Sequence, residues 1–372
     1  MSDTDTPTRP RVLVLFGGRS SEHAVSCLSA RGVLWAIDQD AYDVVAVGIT
    51  KAGRWTLMPD GVPSTREGTL PSVPDNGPTV SLAPTQKGTR LLELSLHGLV
   101  DHGLVDVCFP VLHGPYGEDG TIQGYLATVG VPYVGADVAS SAIAIDKRQI
   151  KNVFAAAGLP QVPHDVVMRP DWDADPAAEL DRIEATLPYP VFTKPARQGS
   201  SIGITRVTDR HGLSSGIDEA LDYDRVVIVE AGLDNVRELE CGVLGNDKVE
   251  VTPPGETIHT GAQFYDFDAK YMEPVQLQCP ADVPDEVVKS CQQYAEMAYK
   301  AIGARGMARV DFFLNPTSGE LLVNEINTIP GLTPQSMFPP VWRSTGLGFK
   351  ELIDRLLLLA LQASAEDSRF SP

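Results

Sequence analysis

Short apolar runs alternate with stretches of helical spacing along the first third of the chain. "RVLVLFGG" (11–18) predicts a buried strand ending in glycines, with a helix from about Ser20 to Ile37 behind it. "YDVVAVGIT" (42–50) is a second strand and "VDVCFPVLHG" (105–114) a third. "EDGTIQGYLATVG" (118–130) reads as a helix closed by Gly130, followed by "VPYVG". Residues 57–90, rich in Pro, Gly, Ser and Thr, read as an insertion of loops and short strands. Strands alternating with helices imply a parallel sheet, so residues 1–135 form an expected N-terminal α/β domain.

The pattern then changes. A helix is expected from about Val138 to Ala157, with Gly158 as its stop signal. "YPVFTKPA", "GITRV" and "RVVIVEAGL" are strands around a glycine-serine turn and a helix, which suggests a small α+β domain over 136–230. A third domain, 231–372, opens with the strand "LECGVLG". It continues through a long loop (253–273), a helix from about Asp285 to Ile302, a hairpin and terminal helices. No internal repeat is present.

Composition narrows the function classes. The chain has 372 residues, and 30 basic against 49 acidic residues give a formal net charge of -19. Such a surface repels a phosphate backbone, so no nucleic acid and no anionic membrane is expected as a partner. "LLLLALQA" near the end is far shorter than the ~20 apolar residues that span a bilayer. The polar start, MSDTDTPTRPR, has no signal-peptide core behind it. Five scattered cysteines without metal spacing suit a reducing compartment, and the expected location is the cytoplasm.

The hairpin "RVDFFLNPTSGELLVNEINTIPG" (309–331) carries the first chemical signal. Glu325 and Asn327 are two apart on a strand and share a face, and Asp311 lies on the partner strand. These hard oxygen donors form a platform suited to Mg²⁺. They equally suit a solvated hairpin edge with a salt bridge to Arg309. Lys194 ends an apolar strand and Lys147 opens "DKRQIK" on a helix; either could face a phosphate. "ARQGSSIG" (196–203) follows Lys194 directly and could wrap a phosphate, although it is no Walker loop. Glu230 at a strand end could read an adenine edge. "HGPYGEDG" (113–120) and "GGRSSEHAVS" (17–26) are loops at strand carboxyl ends, where α/β sheets bind ligands. "FYDFDAKY" (264–271) reads as a lid or a surface loop packed on its own aromatics.

In this order, "GGRSSEHAVS", "HGPYGEDGTIQG", "DKRQIK", "VFTKPARQGSSIG", "FYDFDAKY", "RVDFF" and "NEINTIPGLTPQSMFP" resemble the D-alanine–D-alanine ligase family of the ATP-grasp superfamily. The likeness runs from Arg11 to about Ile353. It implies a three-domain ATP-grasp architecture, an α/β domain followed by two α+β domains clamping ATP, and ligation of two D-alanine molecules through an acyl phosphate for peptidoglycan precursors. It also implies that Lys147, Lys194, Ser200, Ser201, Glu230, Leu233, Glu238 and Lys270 bind ATP. Asp311, Glu325 and Asn327 would hold two Mg²⁺ ions, with Mn²⁺ an alternative. Glu22 and His113 would form the first D-alanine subsite, and Ser336 and Met337 would hold the second carboxylate. Arg309 and the Gly331 amide would stabilise the oxyanion, and Glu22, Ser200 and Tyr271 would close the lid as a hydrogen-bonded set. The family's pattern further implies a homodimer.

Two positions depart from that pattern: Gln198 stands where the family often has Glu, and Ala231-Gly232 where it often has Lys and an aromatic. The competing readings are a ligase joining D-alanine to a hydroxy acid such as D-lactate and another ATP-grasp carboxylate–amine ligase. A nucleotide-sensing module and a dinucleotide oxidoreductase are further alternatives. Tyr271 in the lid favours the dipeptide, because the depsipeptide-forming ligases resembling this family have a histidine there instead.

Overall fold

In the computed structural model, residues 9–64, 69–233, 235–258, 276–333 and 336–369 are described. Their strands form three sheets. The first, in order β6-β5-β4-β3-β2-β1-β7, is parallel only at β1 (Arg11–Gly17), β2 (Asp43–Ile49) and β7 (Val107–Val111). Helix α1 (His23–Ala36) makes the crossover between β1 and β2. The remainder is an antiparallel meander: β3 (Trp55–Leu57), β4 (Thr79–Thr85), β5 (Gly88–Ser95) and β6 (Gly98–Leu104). The hairpin of β5 and β6 continues this meander beyond the predicted insertion at 57–90. Helix α2 (Thr121–Thr128) matches the reading of "EDGTIQGYLATVG".

One expectation fails between residues 138 and 157. The predicted single helix is two: α3 (Val138–Ile145) and α4 (Lys147–Ala156). Asp146 leaves helical geometry with ψ 101°, and its carboxylate accepts from the Arg148 and Gln149 amides. An aspartate N-cap satisfies amide donors that a fresh helix would otherwise leave unpaired. The break lets the Lys147 amide donate to the Ala196 carbonyl at 2.9 Å, tying the new helix to the strand that carries Lys194.

The second sheet, β10-β9-β11-β8, is antiparallel. It comprises β8 (His164–Met168), β9 (Val191–Pro195), β10 (Thr205–Val207) and β11 (Val226–Ala231). Helices α5 (Arg169–Ala174) and α6 (Pro176–Glu184) follow β8, and α7 (Arg210–Tyr223) packs Leu213, Ile217 and Ala220 on the sheet. The third sheet joins β12 (Arg237–Leu244), β13 (Glu250–Val251), β14 (Gly255–Ile258), β15 (Gln276–Gln278), β16 (Met307–Leu314) and β17 (Leu321–Asn327). Residues 255–258, read as part of a loop, pair with β12 instead. Residues 259–275, the remainder of the expected lid with Lys270 and Tyr271, lie outside the described residues.

Helix α8 (Asp285–Ala301) buries Cys291, Ala295, Ala298 and Tyr299 against the third sheet. Helix α4 adds Ile150 and Phe154 to the same core. After α9 (Phe338–Ser344), helix α10 (Phe349–Asp367) turns back to the first sheet. Its Leu352, Ile353, Leu356 and Leu357 pack with Val12, Val14 and Phe16 of β1, which binds the chain's last helix to its first strand. No described helix is long and apolar enough to cross a membrane. The five cysteines are free thiols.

Candidate active site

Strand register assembles the hairpin site. Arg309 stands opposite Asn327 and Asp311 opposite Glu325, with a bulge immediately after Asp311. On the other side of β16, Asp311 faces Glu240 of β12. Three carboxylates therefore lie in one row across three strands. The Arg309 guanidinium answers two of them. Its Nε and Nη2 donate to Asp311 at 2.7 and 2.6 Å, and Nε lies 2.7 Å from Glu240 Oε2.

Loss of solvent pushes the Asp311 carboxyl up to about 7; Arg309 opposes this, and Glu240 and Glu325 add to it. Hard oxygen donors gathered in one row across three strands fit a divalent cation. No group of three or more His, Cys, Asp or Glu side chains among the described residues has ligating geometry. Any ion here would rest on Asp311 and Glu325 with the Asn327 amide, whose Oδ1 also accepts from the Ile329 amide at 3.0 Å.

Cations lie beside this row. Lys194 donates to Glu230 Oε2. Lys151, not singled out from the sequence, lies 2.5 Å from Glu230 Oε1. Burial opposes ionisation of Glu230, but Lys194 and Lys151 outweigh it and hold the carboxyl far below its ordinary range. Lys147 donates to the Gln198 carbonyl at 2.6 Å. Burial lowers its ammonium pKa, Glu325 raises it and Lys194 lowers it further, so the helix, the second sheet and the hairpin act on one group.

The glycine-serine loop reaches the first sheet. Ser200 Oγ donates to Glu22 Oε1, and a Cβ on Gly199 would stand 3.1 Å from Glu22 Oε2. Ser200 and Ser201 both adopt left-handed backbone, with φ 49° and 58°. Such a conformation costs an L-residue roughly 1–2 kcal/mol, a strain typical of functional loops. Across Glu22 lies Gly114, also left-handed, where a Cβ would fall 2.5 Å from Glu22 Oε2. The Gly114 amide donates to Glu118 Oε2 at 2.6 Å. Loss of solvent, then Glu22, pushes Glu118 well above the ordinary carboxylate range, and Glu325 adds to it. Glu118 sits in the loop "HGPYGEDG" (113–120), where no spacing marks it as a site residue.

His113 is buried between the first sheet and the segment after β17. Its Nε2 lies 3.0 Å from Ser29 Oγ, which also accepts from the Leu332 amide at 3.3 Å. Burial lowers the imidazole to about 4, against a backbone hydrogen bond at Ile329, so the ring is neutral at pH 7. A Cβ on Gly331 would fall 2.4 Å from Ser336 Oγ, which is 2.8 Å from Thr333 Oγ1. Met337 is buried ahead of α9. Leu233 and Glu238 lie on either side of the turn from β11 to β12, both half-buried.

The departure at Gly232 has a local cause: its amide donates to the Pro190 carbonyl at 2.7 Å, and a Cβ would meet that oxygen at 2.6 Å. His23 and Ser26, quoted in the first loop, serve the fold. His23 Nδ1 lies 2.8 Å from the Gly18 carbonyl, and Ser26 Oγ accepts from the Gly17 amide at 2.7 Å.

Comparison with known proteins identifies the family of the chain. The family model "D-ala D-ala ligase N-terminus" matches residues 11–136, and "D-ala D-ala ligase C-terminus" matches 153–358. A D-alanine–D-alanine ligase of Kineococcus radiotolerans is 48% identical over 368 residues, covering 95% of this chain and 97% of its own. One from Enterococcus faecalis is 43% identical, covering 94% and 99%. Among solved structures, the D-alanine-D-alanine ligase from Coxiella burnetii aligns with a TM-score of 0.82 at 31% identity over 97% of both chains. The VanG D-Ala:D-Ser ligase from Enterococcus faecalis aligns at 0.79 and 34%, covering 95% of this chain and 100% of that one. Matched by both family models and by relatives along nearly its whole length, the chain belongs to the D-alanine–D-alanine ligase family.

Proposed function

We propose that the chain joins two D-alanine molecules into D-alanyl-D-alanine, using ATP and releasing ADP and phosphate, as a step toward peptidoglycan precursors. The observation that carries this reading is the bond between Glu22 and Ser200, 178 residues apart. It brings a carboxylate suited to an amino-acid ammonium onto the loop that follows the phosphate-facing Lys194. A nucleotide sensor needs no such junction.

In this reading Lys147 and Lys194 neutralise the phosphates, with Ser200 and Ser201 covering them. Glu230, Leu233 and Glu238 receive adenine and ribose, and Lys270 adds a further contact. Glu22 and the neutral His113 hold the first D-alanine with its carboxylate toward the γ-phosphate. Carboxylate attack gives D-alanyl phosphate. The second D-alanine, its carboxylate held by Ser336 and the Met337 amide, attacks that carbonyl and phosphate leaves.

Arg309, held in place by two carboxylates, and the Gly331 amide stabilise the tetrahedral oxyanion. Glu22, Ser200 and Tyr271 keep the site closed. Mg²⁺, two ions by the family's pattern or Mn²⁺ in their place, would supply charge neutralisation of the phosphoryl oxygens from Asp311, Glu325 and Asn327.

We further take residues 1–135, 136–230 and 231–372 as the three domains and the enzyme as a cytoplasmic homodimer. The deciding experiment measures phosphate release from ATP and Mg²⁺ with D-alanine alone and in competition with D-serine or D-lactate. Release that requires D-alanine, with the dipeptide as main product, is expected. A mixed dipeptide or depsipeptide as main product at neutral pH overturns the reading.

A further inference from the structure

Lys151 is a buried lysine to which the proposed reaction assigns no role. It lies one helical turn after Lys147 on α4, so both ammonium groups leave the same face of the helix. Its side chain is 2% exposed, against 14% for Lys194 and 4% for Glu230. Long cations are seldom that deep unless paired. Lys151 takes Glu230 Oε1 at 2.5 Å, and Lys194 takes Oε2. One buried carboxylate thus serves two lysines through separate oxygens. Of the two, Lys194 is the more exposed.

This arrangement resolves a conflict of charge. A phosphate that draws Lys194 outward would take it from Glu230. Were Lys194 the sole partner, its departure would strand a buried carboxylate, which is strongly destabilising. Among the described residues, the other groups near Glu230 offer no substitute. His164, opposite Glu230 in the β8–β11 register, is held neutral by burial and by Lys151 itself. Lys147 is engaged with the Gln198 carbonyl.

We propose that Lys151 is a positioning residue, the permanent counterion of Glu230 that releases Lys194 to the nucleotide's phosphates. It acts through Glu230 and touches no reacting atom. The inference rests on the nucleotide reading above, which the D-alanine requirement for phosphate release tests separately.

The test is binding of nucleotides to the full chain by calorimetry, without turnover. The probes are adenylyl imidodiphosphate, a non-hydrolysable triphosphate, and AMP, which has no β- or γ-phosphate. Lys151→Met should weaken the triphosphate on the order of ten-fold and AMP by less than about two-fold. Lys151→Arg should restore it.

In a Glu230→Gln background Lys194 is no longer held, so Lys151→Met should change triphosphate affinity less than about two-fold. Lys151→Gln, which keeps a polar contact with Glu230, serves if the methionine variant does not fold. Equal weakening of AMP and triphosphate would overturn the proposal. So would an undiminished effect in the Glu230→Gln background, or wild-type triphosphate affinity in both neutral variants.

Discussion

Replacing Gly114 with alanine tests the junction at Glu22 more sharply than removing Glu22 itself. Gly114 has φ 73°, and its missing Cβ would fall 2.5 Å from Glu22 Oε2 and 2.7 Å from Ser20 Oγ. The alanine faces two separable penalties. Left-handed backbone costs an L-residue about 1–2 kcal/mol. The Glu22 carboxylate must also move, because 2.5 Å is no van der Waals contact, and moving it breaks the bond from Ser200.

A hydrogen bond to a charged group is worth about 1.5–3 kcal/mol, or roughly 10- to 150-fold in an equilibrium. Gly130 provides the control: its φ is 71° with nothing within 4 Å of the added carbon. Both variants should therefore lose about 1–2 kcal/mol in urea unfolding from backbone strain alone. Only Gly114→Ala should lose kcat/KM for the first D-alanine, by roughly 10- to 150-fold in a phosphate-release assay. If Gly114→Ala and Gly130→Ala keep the same activity, the Glu22 carboxylate does not position substrate and the reasoning fails.

Three further outcomes are expected. Arg309→Lys removes the fork that engages Asp311 through Nε and Nη2 and should lower kcat by about 10²–10³-fold with little change in KM for D-alanine; a rise confined to KM would count against an oxyanion role. Glu325→Gln should cut turnover by orders of magnitude and raise the Mg²⁺ needed for half-maximal rate, and a wild-type Mg²⁺ titration would remove the hairpin as the metal platform.

His113 is held near 4 in the folded chain against 6.5 unfolded, so the unfolded chain binds the extra proton between those values. Stability should be complete above about pH 6.5 and fall by up to about 3 kcal/mol toward pH 4. His113→Asn should flatten that part of the unfolding curve, and an unchanged slope would show that other groups govern it.

Much of the fold was legible because its signals are local. The first strands, α2 and the hairpin follow from apolar runs ended by glycine or turn residues. The break at Asp146 was hidden because "AIAIDKRQIK" keeps helical spacing through the cap, and only the contact of Lys147 with Ala196 reveals a new start. The candidate site divided in the same way. Asp311, Glu325 and Asn327 meet across a short hairpin, so their proximity could be read from spacing. Glu240 could not be found that way, since the pairing of β12 with β16 joins residues some seventy positions apart. Lys151 did carry a signal, its place four residues after Lys147, but its burial beside Glu230 depends on a sheet from another part of the chain.

The cations and carboxylates of the site are largely engaged with one another. Arg309 is held by Asp311 and Glu240, Lys194 by Glu230, Lys147 by a carbonyl, and Glu22 by Ser200. This matters because unpaired buried charge is expensive, while a triphosphate brings several negative charges at once. An empty site built only of cations would oppose folding, and one whose pairs were all indispensable would refuse the nucleotide. Redundant partners avoid both problems. Arg309 has a second carboxylate if a divalent ion takes Asp311, and Glu230 has a second lysine if a phosphate takes Lys194. The carboxylate row and the lysine pair are thus the same device with opposite sign: on the proposed reading, each could shed one partner to ligand while leaving no buried charge alone.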